Sequence, residues 1–132
     1  MALILLADDD ELVGDIVREA LSARGHVVGV VENGIDAVRV VEMKRPALVI
    51  LDCAMPEMNG IEALRQIRLS PSAHRTPVLM LTGRRSEMDV DIARRAGASD
   101  YLKKPFDTDQ LVARVEQLLD KAAANHSSLD RG

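Results

Sequence analysis

The chain has 132 residues, of which 47% are hydrophobic and 29% charged, and its formal net charge is -4. This length and composition favour a single soluble domain with its own core. The acidic balance argues against nucleic acid as the main partner but leaves room for local basic patches. Cys53 is the only cysteine, so no intrachain disulfide forms and a reducing compartment fits. Without a signal peptide or an 18-residue apolar run, we expect a cytoplasmic protein with no membrane association.

Apolar patterning predicts five strands that alternate with five helices. The strands are short continuous apolar runs, which is typical of strands covered on both faces. They lie at 3–6, 27–31, 47–51, 78–81 and, more weakly, 99–102. This alternation favours right-handed crossovers and a parallel sheet, so the predicted fold class is α/β, doubly wound.

Apolar residues three and four positions apart predict the helices. Gly25 is expected as the C-cap of the first helix, and Ser86 with Asp89 as a capping box for a fourth helix at 86–96. Asp107 is expected to cap the fifth helix. The inward-facing residues are predicted to be Leu12, Val13, Ile16, Val17, Ala20, Leu21, Ile35, Val38, Val41, Ile61, Leu64, Ile67, Leu111, Val115, Leu118 and Leu119.

The capping of the fifth helix has two further elements. Gln110 completes a capping box with Asp107, and Phe106 with Leu111 forms a hydrophobic staple. After residue 120 the apolar periodicity is lost. We therefore predict a domain over 1–120 and a tail or linker over 121–132.

Polar residues follow several of the predicted strands. Asp8, Asp9 and Asp10 follow the first strand, Asp52 the third, Thr82 the fourth and Lys104 the fifth. Ligands of open α/β sheets collect at the carboxyl ends of the strands, so these side chains are expected to converge. Asp10 is also expected to cap the first helix.

This set of side chains suits phosphoryl chemistry. Clustered carboxylates are tolerated when they share a divalent cation such as Mg²⁺. An ammonium and a hydroxyl group stabilise charge on a phosphoryl group, and an aspartate can act as the nucleophile.

The motifs resemble those of response-regulator receiver domains of two-component signalling. They are ADDD, LDCAMPEMNG, LTG and GASDYLKKPF, and the resemblance covers residues 2 to about 120. It implies a flavodoxin-like fold with strand order 2-1-3-4-5. It also implies a histidine kinase or histidine phosphotransfer protein as phosphodonor, and a downstream protein target or attached output domain.

The resemblance also implies residue roles. Asp52 would accept the phosphoryl group, and Asp8, Asp9, Asp52 and the backbone carbonyl of Ala54 would bind Mg²⁺. Thr82 and Lys104 would contact the phosphoryl group, Tyr101 would change rotamer on activation, and a cis peptide bond would precede Pro105. Activity would be limited to self-catalysed transfer and slow self-hydrolysis, so no metabolic enzyme is expected.

Some positions leave alternatives open. The family usually has Ala where this chain has Gly83, and Ala54 and Arg84 flank the expected approach of an attacking water. Asp100 and Arg114 resemble residues of receivers that form phosphorylation-dependent homodimers, but a solvated ion pair explains them equally well.

Three other functions compete with this interpretation. A haloacid-dehalogenase-type enzyme would need an acid where Ala54 stands, and a flavodoxin-like cofactor binder would need a hydroxyl- and Gly-rich phosphate loop in place of ADDD. A degenerate receiver that only binds partners is disfavoured by the intact acids, Thr82 and Lys104. The sequence leaves open whether the chain acts alone or belongs to a longer regulator or hybrid kinase.

Overall fold

The computed structural model describes the backbone of residues 1–83 and 87–131, and the side chains of residues 1–83 and 90–125. Strands and helices alternate throughout this part of the chain. They are β1 (Leu3–Ala7), α1 (Glu11–Ser22), β2 (Val27–Val31), α2 (Gly34–Lys44), β3 (Leu48–Asp52), α3 (Gly60–Leu69), β4 (Val78–Thr82), α4 (Glu87–Ala96), β5 (Asp100–Lys103) and α5 (Thr108–Arg131).

The five strands form one parallel sheet in the order β2-β1-β3-β4-β5. The predicted fold class and strand order are therefore confirmed. β3 is central, and all of its residues are buried because it is paired on both edges and covered on both faces. This placement explains why its sequence is a continuous apolar run rather than an alternating one.

Successive side chains of the central strands enter two separate apolar layers. Val49 and Leu51 of β3 pack in the layer that contains α2 and α3, whereas Leu48 and Ile50 pack in the layer that contains α1 and α5. The sheet thus lies between two layers of helices. Asp52 is the last residue of β3 and lies at the carboxyl end of this buried strand.

The predicted inward face of α1 is wrong in part. Gly14, Val17 and Leu21 are buried, but Leu12 is 66% exposed and Ile16 38% exposed. The helix packs against the rest of the protein through a narrow stripe formed by the buried residues, and Leu12 and Ile16 flank this stripe. Ile35, at the start of α2, is exposed for the same reason.

Helix ends also differ from the predictions. Ala23, not Gly25, is the C-cap of α1, and Gly25 has a φ of 85° in the turn that follows. Asp107 does precede α5, and its carboxylate accepts a hydrogen bond from the N–H of Asp109 at 2.8 Å. Ser86 and the side chain of Asp89 lie outside the described residues.

The last helix is longer than its apolar periodicity predicts. The helical backbone of α5 continues to Arg131, through the segment in which the pattern is lost. Whether 121–132 serves as a tail or linker stays a prediction. In the described part of the chain, no helix has both the length and the apolar character needed to cross a membrane.

Candidate functional site

The predicted polar residues meet at one edge of the sheet. Asp52 and Thr82 are the last residues of β3 and β4, while Asp8 directly follows β1 and Lys104 follows β5. Asp8, Asp52 and Thr82 are only 2%, 6% and 4% exposed. Parallel strands put their carboxyl ends at the same edge, so distant parts of the sequence share one site.

Lys104 is the only described cation in ion-pair contact with these buried acids. Its Nζ lies 2.8 Å from Oδ2 of Asp8 and 3.4 Å from Oδ1 of Asp52. Asp9 is exposed, yet carboxylate oxygens of Asp8, Asp9 and Asp52 all lie within 4.8 Å of one another. One ammonium group therefore contacts two of three clustered carboxylates, which repel each other and form a donor set that suits a hard divalent cation.

The acids after β1 have different structural roles. The N–H of Asp10 donates to Oδ1 of Asp8 at 2.9 Å, which leaves the other oxygen of Asp8 for Lys104. The carboxylate of Asp10 accepts hydrogen bonds from the N–H groups of Leu12 and Val13. Asp10 thus caps α1, as predicted, and this cap fixes the position of the loop that carries Asp8 and Asp9.

The turn after β3 contains two residues that sequence analysis missed. The N–H of Gly60 donates to the carbonyl of Cys53 at 3.1 Å, and a Cβ at Gly60 would lie 2.1 Å from the carbonyl oxygen of Asp52. Asn59 caps α3 by accepting from the N–H of Glu62 at 2.9 Å. The Asn-Gly pair is itself a turn signal that marks this return of the chain.

The end of β4 and the segment after β5 are joined at the site. The N–H of Lys104 donates to the carbonyl of Thr82 at 2.7 Å, and the Lys104–Pro105 peptide bond is cis, as the resemblance implied. A Cβ at Gly83 would meet no atom of the described residues within 4 Å, so space beside Thr82 does not by itself require a glycine here. Arg84 lies outside the described residues.

An open cleft of about 700 Å³ gives access to these groups. Ile61 from α3 and Ile92 from α4 line it together with the acids, Ala54 and Lys104. Ile61 was predicted to belong to the core, and Ile92 was not singled out. Helical spacing cannot separate a core residue from one at the rim of a cleft, so no signal in the sequence distinguishes them.

Burial and charge change the pKa values of the two central groups. Burial, followed by the charge of Asp8, raises the pKa of Asp52 from 3.8 to about 6, although Lys104 and the N–H of Ala54 oppose this. Burial lowers the pKa of Lys104, but the hydrogen bond to Asp8 and the charges of Asp52 and Asp8 outweigh it and raise that pKa overall. At neutral pH Asp52 is therefore mainly ionised and Lys104 is charged.

Tyr101, Asp100 and Arg114 lie on the β5–α5 side of the molecule. Tyr101 is half-buried against the α2–α3 layer. Arg114 Nη1 lies 3.1 Å from Oδ2 of Asp100 and donates to the carbonyl of Tyr101 at 2.9 Å. Asp100 and Arg114 thus bind each other within one chain, and their role in a dimer stays a prediction.

The sequence matches the family model of the response regulator receiver domain over residues 4–116. The chain belongs to this family. Among curated proteins, the receiver is 39% identical over 116 residues to the response regulator MprA of Mycobacterium sp. strain KMS. That match covers 88% of this chain but 50% of MprA, so the chain spans about half the length of this relative.

Solved receiver structures are similar over nearly their full length. A putative response regulator from Chloroflexus aurantiacus is 30% identical with a TM-score of 0.87, and the match covers 90% of this chain and 98% of that one. The receiver domain of a sensor histidine kinase from Pseudomonas aeruginosa is 31% identical with a TM-score of 0.84 and the same coverage. In that structure a magnesium ion is coordinated in the active-site cleft.

Proposed function

We propose that this receiver domain accepts a phosphoryl group from a phosphohistidine onto Asp52. The observation that supports this most strongly is the placement of Asp52. Its carboxylate is buried at the end of the central strand, within 3.4 Å of Lys104 and beside two further acids. An ionised, fixed and partly compensated carboxylate is what a nucleophile for phosphoryl transfer requires.

The step itself is a substitution at phosphorus. A carboxylate oxygen of Asp52 attacks the phosphorus atom, the phosphorus–nitrogen bond of the phosphohistidine breaks, and its electron pair stays on the imidazole of the donor. Lys104 is placed to stabilise charge on the transferred oxygens, and Thr82 to offer its hydroxyl group to one of them. Hydrolysis by water would return Asp52 to its free form, so we expect self-catalysed reactions and no metabolic turnover.

The acidic cluster fits Mg²⁺ as the cofactor. Asp8, Asp9 and Asp52 would supply carboxylate oxygens, and the backbone carbonyl of Ala54, which lines the same cleft, would supply another ligand. Bound Mg²⁺ would neutralise charge on the phosphoryl oxygens during transfer. The magnesium ion in the related Pseudomonas receiver supports this assignment.

The signalling step would be a population shift between two conformations. Contact with the phosphoryl group would draw in Thr82, and half-buried Tyr101 would change rotamer. The exposed face formed by α4, β5 and α5 would then bind a downstream protein or a second copy of the chain. The donor would be a cytoplasmic histidine kinase or histidine phosphotransfer protein, and an output domain is the other candidate target.

Mass measurement of the intact protein tests the central claim. After incubation with Mg²⁺ and a small acyl phosphate, we expect a gain of one phosphoryl mass that hydroxylamine removes. Asp52→Asn should abolish the gain, whereas Asp15→Asn, which changes an exposed acid on α1, should retain it. A gain that persists in Asp52→Asn, or no gain in the unchanged protein, contradicts the proposal.

A further inference from the structure

A second cleft, of about 870 Å³, lies at the amino ends of the strands. Ala47 and Pro77, which immediately precede β3 and β4, line it, and so does Ser99, which precedes β5. Its other wall comes from 118–125 of α5, beyond the residues that match the receiver family. Among the described residues the two clefts have no lining residue in common, so a ligand here would leave the Asp52 site free.

The charge of this cleft is opposite to that of the chain. Arg45, His74, Arg75 and Lys121 line it, and none of its lining residues within the described side chains (1–83 and 90–125) carries a carboxylate. The whole chain has a net charge of -4, so this set of basic side chains is a local reversal. Such a reversal predicts an anionic ligand.

Hydrogen bonds from Arg68 hold the segment before β4, which carries His74 and Arg75. The Arg68 guanidinium donates to the carbonyls of Thr76 at 2.7 Å, His74 at 3.2 Å and Gly97 at 2.9 Å. These bonds fix the segment before β4 to α3 and to the end of α4. The backbone that carries His74 and Arg75 is therefore fixed before a ligand binds, which reduces the entropy lost on binding.

Arg45 occupies an unusual backbone position at the cleft. It is the C-cap of α2 with a φ of 47° and a ψ of 62°, a left-handed conformation in which glycine is the usual residue. Its N–H donates to the carbonyl of Val41 at 2.9 Å. This conformation costs an arginine more than it would cost a glycine.

The remaining lining is suited to an organic body rather than to a bare ion. Leu118, Leu119 and Ala122 supply an apolar wall. Ser99 Oγ accepts from the N–H of Val78 at 3.0 Å, which leaves its hydroxyl proton to donate to a ligand. Pockets that combine an apolar wall with a few convergent polar groups are typical of small-molecule sites.

We propose that this cleft binds a nucleoside mono- or diphosphate. Arg45, Arg75 and Lys121 bind the phosphate, because guanidinium groups match phosphate oxygens and also stack on planar rings. The nucleoside lies along the apolar wall of α5. The ligand thereby connects the end of α2, the segment before β4 and the extended part of α5, and it does so independently of the proposed phosphorylation.

NMR titration of the full chain with ADP and with AMP, in EDTA to keep metal from the acidic site, tests this proposal. We expect saturable shifts of amide signals at 72–76 and 118–125, with no shift at Asp8 or Asp52. Arg75→Gln and Lys121→Gln should each weaken binding by about fivefold or more. Lys44→Gln removes an equal charge from an exposed position outside the cleft and should change affinity by less than about twofold.

Competition with inorganic phosphate and with adenosine distinguishes binding of the phosphate from binding of the nucleoside. Inorganic phosphate should displace ADP only at much higher concentration, and adenosine should bind weakly. Equal affinity for inorganic phosphate and ADP overturns the proposal, and so does ADP binding that Arg75→Gln and Lys121→Gln leave unchanged. Absence of localised shifts at millimolar ADP overturns it as well.

Discussion

Asp52→Asn should stabilise the metal-free protein at neutral pH, because the native carboxylate is ionised at a cost. Asparagine keeps the shape of the protonated side chain and removes its charge. A pKa raised from 3.8 to about 6 corresponds to about 3 kcal/mol of lost stability once Asp52 is ionised in the folded state. That value already includes the opposing contribution of Lys104.

The sign of the pH dependence follows from the direction of this change. The folded protein holds the Asp52 proton more tightly than the unfolded chain does. The contribution of this group to the free energy of unfolding therefore falls as pH rises between about 4 and about 6, and it is constant above. Asp52→Asn lacks the group, so its advantage should be small near pH 4 and reach about 3 kcal/mol at pH 7.

Urea unfolding in EDTA, followed by far-UV circular dichroism at both pH values, measures the difference. Asp15→Asn is the matched control, and as a surface change it should alter stability by less than about 0.5 kcal/mol. Added Mg²⁺ should stabilise the unchanged protein and reduce the advantage of Asp52→Asn. The reasoning is refuted if the variant is no more stable at neutral pH, or if its advantage is equally large in acid.

Three further measurements address the same edge of the sheet. Lys104→Gln leaves the buried carboxylates without their ammonium partner and should cost about 3 kcal/mol in urea unfolding, less when Mg²⁺ is present; a neutral result contradicts the ion-pair role. Gly60→Ala forces a Cβ to within 2.1 Å of the carbonyl oxygen of Asp52 and should cost more than about 3 kcal/mol, whereas Gly83→Ala, whose Cβ would have no atom of the described residues within 4 Å, should cost less than about 0.5 kcal/mol. Tyr101 is the only tyrosine in a chain without tryptophan, so its fluorescence should change on phosphorylation, and an unchanged spectrum argues against a rotamer switch.

The sheet could be predicted from sequence because each strand is a buried apolar run. β3 shows why this works, since a strand covered on both faces leaves no alternation to misinterpret. The carboxyl-end rule then placed Asp8, Asp52, Thr82 and Lys104 at one edge without any knowledge of distances. Residue types and their order along the chain were sufficient for that step.

Helix faces were harder to predict than strand positions. Apolar side chains show that α1 has an apolar face, but not how wide a stripe its neighbours cover, so Leu12 and Ile16 were placed inward and are exposed. The second cleft was beyond prediction for another reason. Arg45, Arg75 and Lys121 are far apart in sequence and form no motif, and only the folded chain brings them together.

The balance of charge among the residues of the acidic site explains how a carboxylate that is costly to bury can serve there. Asp8, Asp9 and Asp52 together with Lys104 have a net charge of two negative units when all are ionised, which equals the charge that one divalent cation supplies. A second lysine would stabilise the ionised form of Asp52, but it would also weaken the attraction of the three carboxylates for Mg²⁺. Burial, followed by the charge of Asp8, raises the pKa of Asp52, and a bound divalent cation would favour the ionised form against both effects. If Asp52 is phosphorylated as proposed, the phosphoryl group would bring new negative charge to Lys104, and we propose that this change in charge acts on the end of β4 through the bond between the Lys104 N–H and the Thr82 carbonyl.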